Sequence, residues 1–464
     1  MIFTEVRFLI FFAICFAVYW TLRGNTPRKA WLLVCSYVFY AAWDWRFCGL
    51  LLGSTVMDYF VGLGMARIQD QGKRRLLLVC SLVVNLGTLC LFKYYDFFVK
   101  SGAGLLQLLG LHVEPHLLNL VLPVGISFYT FQTLSYAIDS YRRALVPVRS
   151  FLDFALYVGF FTHLVAGPIV RAIDLLPQFS RKRTWEDVNV RGCLALFLVG
   201  YVKKACVSDN IASSVDAIFS HPGSYGGADL WLGSFLFLVR IYCDFSGYSD
   251  MAIATAGLLG YELLLNFDFP FVSRSMSEFW RRWHISLVSW LRDYLYQPLG
   301  GSRKGPGRMI LNLWIVYFLT GLWHGANWTF VTWGLFFGLV VFLENVVRWK
   351  GASKVPRVLQ HAYVVLLACV GCTLFPAANI GVAAHYIAGM FSGGAALVTE
   401  HLDRAWWLLV LAFAVGHVLA YRRTFAPMVA RLTNWQFALS YGVVLALMFP
   451  FVAPDYAAFI YFQF

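Results

Sequence analysis

Long apolar runs alternate with short basic or glycine- and proline-bearing breaks from one end of the chain to the other. A helix needs roughly 20 mostly apolar residues to cross the hydrocarbon core of a bilayer. Runs of that character fall at 4–22, 30–45, 47–66, 76–94, 117–138, 192–208, 229–247, 309–323, 327–347, 357–378, 405–421 and 436–456, and each predicts a membrane-spanning helix. Two more stretches, 151–170 and 250–266, are apolar but interrupted.

The basic breaks give the runs a direction. Arg23, Arg28 and Lys29 follow the first run, Arg67, Lys73, Arg74 and Arg75 the third, and Arg142, Arg143 and Arg149 the fifth. With the N-terminus outside, all three clusters fall on the cytoplasmic side, as the positive-inside bias requires. A full crossing by 151–170 would put Arg171, Arg181, Lys182, Arg183 and Arg191 outside. That segment, which contains the helix-breaking Gly167-Pro168, is therefore expected to be re-entrant or half-buried. The same reasoning applies to 250–266, ahead of Arg274, Arg281 and Arg282. Residues 209–228 carry no lysine or arginine and are expected to form an outside loop.

Composition agrees with this pattern. Of the 464 residues, 60% are hydrophobic and 13% charged, against about half and about a quarter in soluble domains. The expected fold is an all-α polytopic membrane bundle of about 11–12 transmembrane helices with re-entrant segments around a central tunnel. One integral membrane domain spans 1–464. The net charge of +13 is spread over short loop clusters rather than one stripe, so nucleic acid is not an expected partner; the lipid bilayer is. The first apolar run precedes its positive charge and shows no small-residue cleavage site, so it reads as a retained helix. Most of the ten cysteines sit inside apolar runs as small hydrophobes, and no metal site is expected.

Polar residues inside apolar surroundings are costly and concentrate where function lies. Three groups stand out. In FWRRWHISLVSWLRDYLYQPLGG (279–301), Arg281, Arg282, Trp283, His284, Arg292 and Asp293 alternate with aromatics; this suits an interfacial helix or a cavity wall. In GLWHGANW (321–328), His324 has no charged residue beside it. Removed from water, its imidazole is expected to be neutral and able to act as a base toward a hydroxyl. Trp323 and Trp328 would wall such a site, and Asn327 would orient the imidazole or hold a carbonyl. A hydrogen-bonded core histidine in an inter-helix turn is the competing reading. In RIYCDFSGYSDMA (240–252), Asp244 and Asp250 suit pairing with nearby arginines. The chain contains no P-loop, HExxH, GxSxG or GxGxxG signature.

LFKYYDFF (91–98), LPVGISFYTFQTLSY (122–136), LVAGPIVR (164–171), YCDFSGYSDMAI (242–253), SEFWRRWHISLVSWLRDYLYQPLGG (277–301), GLWHGANWTFVTWG (321–334) and FIYFQF (459–464), taken in order, resemble the membrane-bound O-acyltransferases, in particular their bacterial alginate O-acetyltransferase branch. The resemblance runs over nearly the whole chain. It departs at Val288-Ser289, where relatives commonly carry Ser-Thr. It implies transfer of acetyl from cytoplasmic acetyl-CoA, a substrate rather than a bound cofactor. It makes His324 the catalytic residue and His284 a second functional histidine. Trp323, Asn327, Trp328, Arg281, Arg282, Trp283, Asp293 and Asp244 become candidate substrate- or donor-binding residues. On charge grounds Arg303 and Lys304 join Arg281 and Arg282 as candidate phosphate contacts. The resemblance further implies a bacterial inner-membrane location and a periplasmic or membrane-anchored partner of the SGNH type. A polysaccharide synthase or secretion complex would stand alongside. The acetylated polymer would be an exopolysaccharide of the cellulose or alginate type, the chain being short for an alginate enzyme. Residue chemistry alone leaves a transporter or flippase of such a complex as the alternative, although the chain shows no internal repeat of the kind many transporters carry.

Overall fold

The computed structural model describes residues 1–347, 355–392, 404–422, 425–453 and 457–462. The end of the run 436–456 and the last two residues of FIYFQF lie outside them. Every regular element among the described residues is helical. Five helical runs are long and apolar enough to cross a membrane: Arg46–Arg67, Gln71–Leu108, Gly227–Leu258, Trp328–Val346 and Asn434–Phe451. Shorter apolar helices cover Val6–Thr21, Arg357–Cys372, Ile380–Met390 and Val410–Tyr421. The chain is an all-α, multi-pass membrane protein. It divides into two compact units, 1–188 with 256–264, and 189–255 with 265–464.

The first unit contains α1 (Val6–Thr21), α2 (Asn25–Asp44), α3 (Arg46–Arg67), α4 (Gln71–Leu89), α5 (Tyr95–Leu108), α6 (Ile126–Arg142), α7 (Phe151–Gly159) and α8 (Ala172–Ser180). A π-turn at Cys90–Tyr94 joins α4 to α5. The pattern of α3 and α4 is inverted relative to a water-soluble protein. Phe60, Leu76 and Val83 face outward, while Asp58, Ser81 and Asn85 are buried. Ser81 Oγ (2.5 Å) and Asn85 Nδ2 (2.8 Å) donate to the Asp58 carboxylate. Hydrocarbon outside offers polar groups no partner, so they pair between helices.

Arg74, from one of the basic breaks, is buried. Its guanidinium donates to the Ser140 and Tyr141 carbonyls (both 2.9 Å) and to that of Met65, satisfying the ends of α6 and α3. The run expected at 117–138 becomes helical only at Ile126, because Pro123 and Gly125 break it. Gly125 has φ +78°, and a Cβ there would meet the Leu164 carbonyl at 2.5 Å. Segment 151–170 is broken, as its Gly-Pro pair implies: α7 ends at Gly159 and a buried non-helical stretch follows. Its exposed backbone groups find partners within the unit. The Phe161 N–H donates to Ser36 Oγ (3.1 Å), and Tyr157 Oη donates to the Gln132 (3.0 Å) and Val170 (3.3 Å) carbonyls.

The second unit holds α9 (Val190–Tyr201), α10 (Asp209–Ser220), α11 (Gly227–Leu258, its last three residues counted with the first unit), α12 (Met276–Arg282), α13 (Ile285–Leu291), α14 (Pro306–His324), α15 (Trp328–Val346), α16 (Arg357–Cys372), α17 (Ile380–Met390), α18 (Arg404–Tyr421), α19 (Phe425–Arg431) and α20 (Asn434–Met448). Two expectations are corrected here. Residues 209–220 are helix, not loop. A π-turn at Val202–Ser208 carries α9 straight into α10, whose Ile211, Val215 and Ile218 form a buried stripe. Residues 250–258 do not start a re-entrant segment. They continue α11, which at 32 residues is about 48 Å long; the chain then turns at Gly260 and runs extended toward α12.

The tightest pairing in this unit is α14 against α15. A Cβ at Gly321 would run into the Phe330 carbonyl, and one at Gly334 into the Tyr317 carbonyl, so the two backbones approach to a distance only glycine allows.

Candidate functional site

The turn between α14 and α15 delivers His324. The first helix ends on this residue, Gly325 is extended, and Asn327 caps the second with its Oδ1 accepting from the Thr329 N–H (3.1 Å). His324 is 5% exposed and boxed by rings: Trp333 at 4.8 Å between centroids, Trp323 at 5.0 Å, Phe375 at 5.4 Å and Tyr461 at 5.6 Å.

His284 arrives by a different route. It sits between α12 and α13 with φ +47°, a left-handed conformation that costs a non-glycine residue about 1–3 kcal/mol. The ring is 1% exposed and packs edge-on against Phe245 (4.6 Å) and Trp323 (5.8 Å). Its Nδ1 lies 3.1 Å from Asn266 Oδ1. Burial pushes the imidazole down to about 3, so it is neutral at ordinary pH.

Both histidines line one cavity of about 160 Å³, walled by Trp280, Trp283, Leu287, Tyr317 and Trp333, with Arg292 and Tyr296 also on its lining. A smaller space of about 20 Å³ adjoins it, bounded by Phe375, Cys372, Ile241 and Tyr461. His324, Trp280, Trp283 and Trp333 line both. Apolar cavities of about 150 Å³ admit a molecule the size of benzene, whereas drug-sized ligands need about 300 Å³ or more. The space suits a short acyl group rather than a fatty chain.

Buried charge fastens the last part of the wall. Lys204 Nζ lies 2.7 Å from both Asp209 and Asp244 and donates to the Ala457 carbonyl (2.9 Å). Asp244 Oδ2 accepts from the Ile460 N–H at 2.7 Å. The C-terminal segment is thereby drawn in, and its Tyr461 ring packs against Phe245 (4.8 Å) and His324.

A sequence model of the membrane-bound O-acyltransferase family matches residues 140–350, which include every residue of the larger cavity. A probable alginate O-acetylase of Azotobacter vinelandii is 41% identical over 85% of this chain and 79% of its own length. The chain belongs to the membrane-bound O-acyltransferase family. A probable alginate O-acetylase of Pseudomonas aeruginosa is 40% identical over 87% of this chain and 77% of its own. A peptidoglycan O-acetyltransferase of Helicobacter pylori is 32% identical over 83% and 79% respectively. The protein is accordingly a membrane acyltransferase.

Not every candidate of this O-acyltransferase meets at the cavity. His324, His284 and Trp283 line it, and Trp323 packs against both imidazoles. Asn327 does not orient the imidazole: its Oδ1 caps α15 and its Nδ2 donates to the Ala378 carbonyl at 3.1 Å. Trp328 is 48% exposed and lines neither space. Arg282 is engaged with Glu278 and Asp268, both at 3.1 Å, and Asp293 with Arg292 at 2.7 Å. Arg281, Arg303 and Lys304 are exposed. Asp244 and Asp250 pair with lysines, Lys204 and Lys203 (2.7 Å), and not with arginines. Sequence reasoning passed over Asn266, Trp333, Phe375, Lys204 and the placement of Tyr461. Three of these carried a signal: an intramembrane lysine needs a carboxylate, and Trp333 and Tyr461 lie in GLWHGANWTFVTWG and FIYFQF, two of the motifs that carry the resemblance.

Proposed function

We propose that this protein transfers acetyl from cytoplasmic acetyl-CoA, through the membrane-embedded cavity, to a hydroxyl presented from the other side of the inner membrane. The observation that carries the proposal is the placement of His324 and His284 on one small cavity in a membrane acyltransferase. His324 is the base. It takes the proton of the acceptor hydroxyl as the oxygen attacks the thioester carbonyl carbon; the carbon–sulfur bond breaks, and the CoA thiolate leaves and takes up that proton. The second space adjoining His324 supports a tunnel along which only the acyl end of the donor travels. The nucleotide stays at the cytoplasmic surface, where the exposed Arg281, Arg303 and Lys304 supply positive charge.

The acceptor is a hydroxyl of a periplasmic or membrane-anchored SGNH-type partner, which passes the acetyl to a polysaccharide beside its synthase or secretion complex. The alginate and peptidoglycan acetylating relatives support a polysaccharide as the final acceptor. The N-terminus is on the periplasmic side, a reading supported by the basic clusters after the first, third and fifth apolar runs. The test is polymer acetylation in cells that carry the partner and either wild type or His324→Ala at equal membrane levels. Acetylation lost with His324→Ala supports the reading; acetylation at wild-type level contradicts it.

A further inference from the structure

We propose that Asn266 is a positioning residue: it fixes His284 as the tautomer with hydrogen on Nδ1, so that Nε2 offers a lone pair to a hydrogen-bond donor on the substrate. The neighbours of the Asn266 amide fix its orientation. Its Oδ1 lies 3.3 Å from the Ser286 backbone nitrogen and 2.9 Å from Ser286 Oγ. A backbone N–H can only donate, so the amide atom facing it is the oxygen. The other amide atom donates to Ser249 Oγ at 3.2 Å, which agrees.

An amide oxygen only accepts. His284 Nδ1 lies 3.1 Å from that oxygen and 3.5 Å from Ser286 Oγ; the hydroxyl's one hydrogen goes to the nearer amide oxygen at 2.9 Å, so the hydrogen between Nδ1 and the amide oxygen is carried by Nδ1. A bare Nδ1 would set two lone pairs against each other. A neutral imidazole has one N–H, so Nε2 is bare. Nε2 is buried and has no hydrogen-bond partner among the described residues, while the ring lines the cavity. Neutrality follows from the surroundings, which are the rings of Phe245, Phe267 and Trp323.

Asn266 does a second thing for the same residue. Its backbone carbonyl accepts the Ile285 N–H at 2.9 Å, which holds the chain directly after the left-handed His284. One asparagine thus fixes both the proton position and the ring direction of a residue 18 positions away.

A bare Nε2 selects its ligand group by chemistry. The thioester carbonyl and sulfur carry no hydrogen. The acceptor's O–H has one hydrogen, which goes to His324, so the amide N–H of the donor's pantetheine arm is the group left for Nε2. This part rests on the cavity being the acyl-transfer centre; the tautomer does not.

The test is nitrogen NMR of protein labelled with ¹⁵N-histidine in lipid, with His284→Gln assigning the signal. Wild type is expected to show a protonated Nδ1 and a bare Nε2 at neutral pH, and Asn266→Leu to lose that signature. A protonated Nε2 in wild type overturns the proposal, whether or not the variant folds. In turnover, Asn266→Leu is expected to fall at least about tenfold, and Asn266→Asp, which keeps an acceptor oxygen, to retain more activity. A raised KM for the acyl donor is expected; a lowered kcat with an unchanged KM would contradict the donor's N–H as the group met. Unchanged turnover in Asn266→Leu also overturns the proposal. If His324→Ala leaves acetyl transfer intact, the functional reading fails while the NMR result still decides the tautomer.

Discussion

The imidazoles of His284 and His324 line the same cavity and both rest edge-on against the Trp323 indole, at 5.8 Å and 5.0 Å between ring centroids. One comes from a strained break between two short helices and the other from the last residue of a long one. Their meeting is a product of the fold, and it turns two isolated polar residues into one site. Its supports can be tested separately.

The glycine contact of α14 with α15 sets where His324 stands. Gly334→Val puts a branched side chain against the Tyr317 carbonyl. Overpacking of this kind costs typically about 1–3 kcal/mol. We expect a lowered melting temperature in detergent together with lost acyl transfer. A variant that melts and turns over like wild type would show that the close approach is dispensable.

Lys204 bridges two buried carboxylates and ties down the C-terminal segment. Breaking a buried ion pair from one side costs about 3–5 kcal/mol. Lys204→Met should therefore be strongly destabilising and should open residues 457–462 to limited proteolysis. Adding Asp209→Asn and Asp244→Asn should recover part of the lost stability, because no uncompensated charge then remains. No recovery in melting temperature would count against charge pairing as the cause.

On the proposed function, the cavity's size limits the acyl group. Trp333 and Trp280 meet edge-on at 5.5 Å and wall both spaces. Trp333→Ala makes room for at least another methylene, an increment worth about 1–3 kcal/mol in discrimination. The ratio of kcat/KM for propionyl-CoA over acetyl-CoA should rise about tenfold or more. An unchanged ratio would place the length limit elsewhere.

Much of this arrangement is legible in the sequence, and the exceptions have physical reasons. The α14–α15 hairpin and its histidine are announced by GAN between two apolar runs, because glycine and asparagine are turn and cap residues. The same chemistry, Asn327 followed two residues later by the Thr329 N–H, already argues for a helix cap over a ligand contact. Gly167-Pro168 announces a broken segment but not where it breaks, since α7 already ends at Gly159.

The charge rule misleads at 250–266. It speaks to which side a loop lies on, and α11 runs beyond the length a crossing needs. At 209–220 the absence of lysine and arginine reads as loop, although Ile211, Val215 and Ile218 carry a helical stripe. Asn266 gives no signal, since a single asparagine in LLLNFDFP acquires meaning only when α13 folds back on it. That Trp280, Trp333 and Phe375 meet in one box is likewise not legible in a chain of which 18% is aromatic.

The central claim is that the cavity shared by His324 and His284 is where acetyl leaves CoA. The most direct measurement is single turnover of radiolabelled acetyl-CoA by purified protein with its partner, comparing wild type, His324→Ala and His284→Ala at matched folding. The account predicts release of CoA by wild type, a loss of about 10²–10⁴-fold in His324→Ala, and a reduced rate in His284→Ala. Turnover at the wild-type rate in His324→Ala would contradict it and return that histidine to a packing role between two helices.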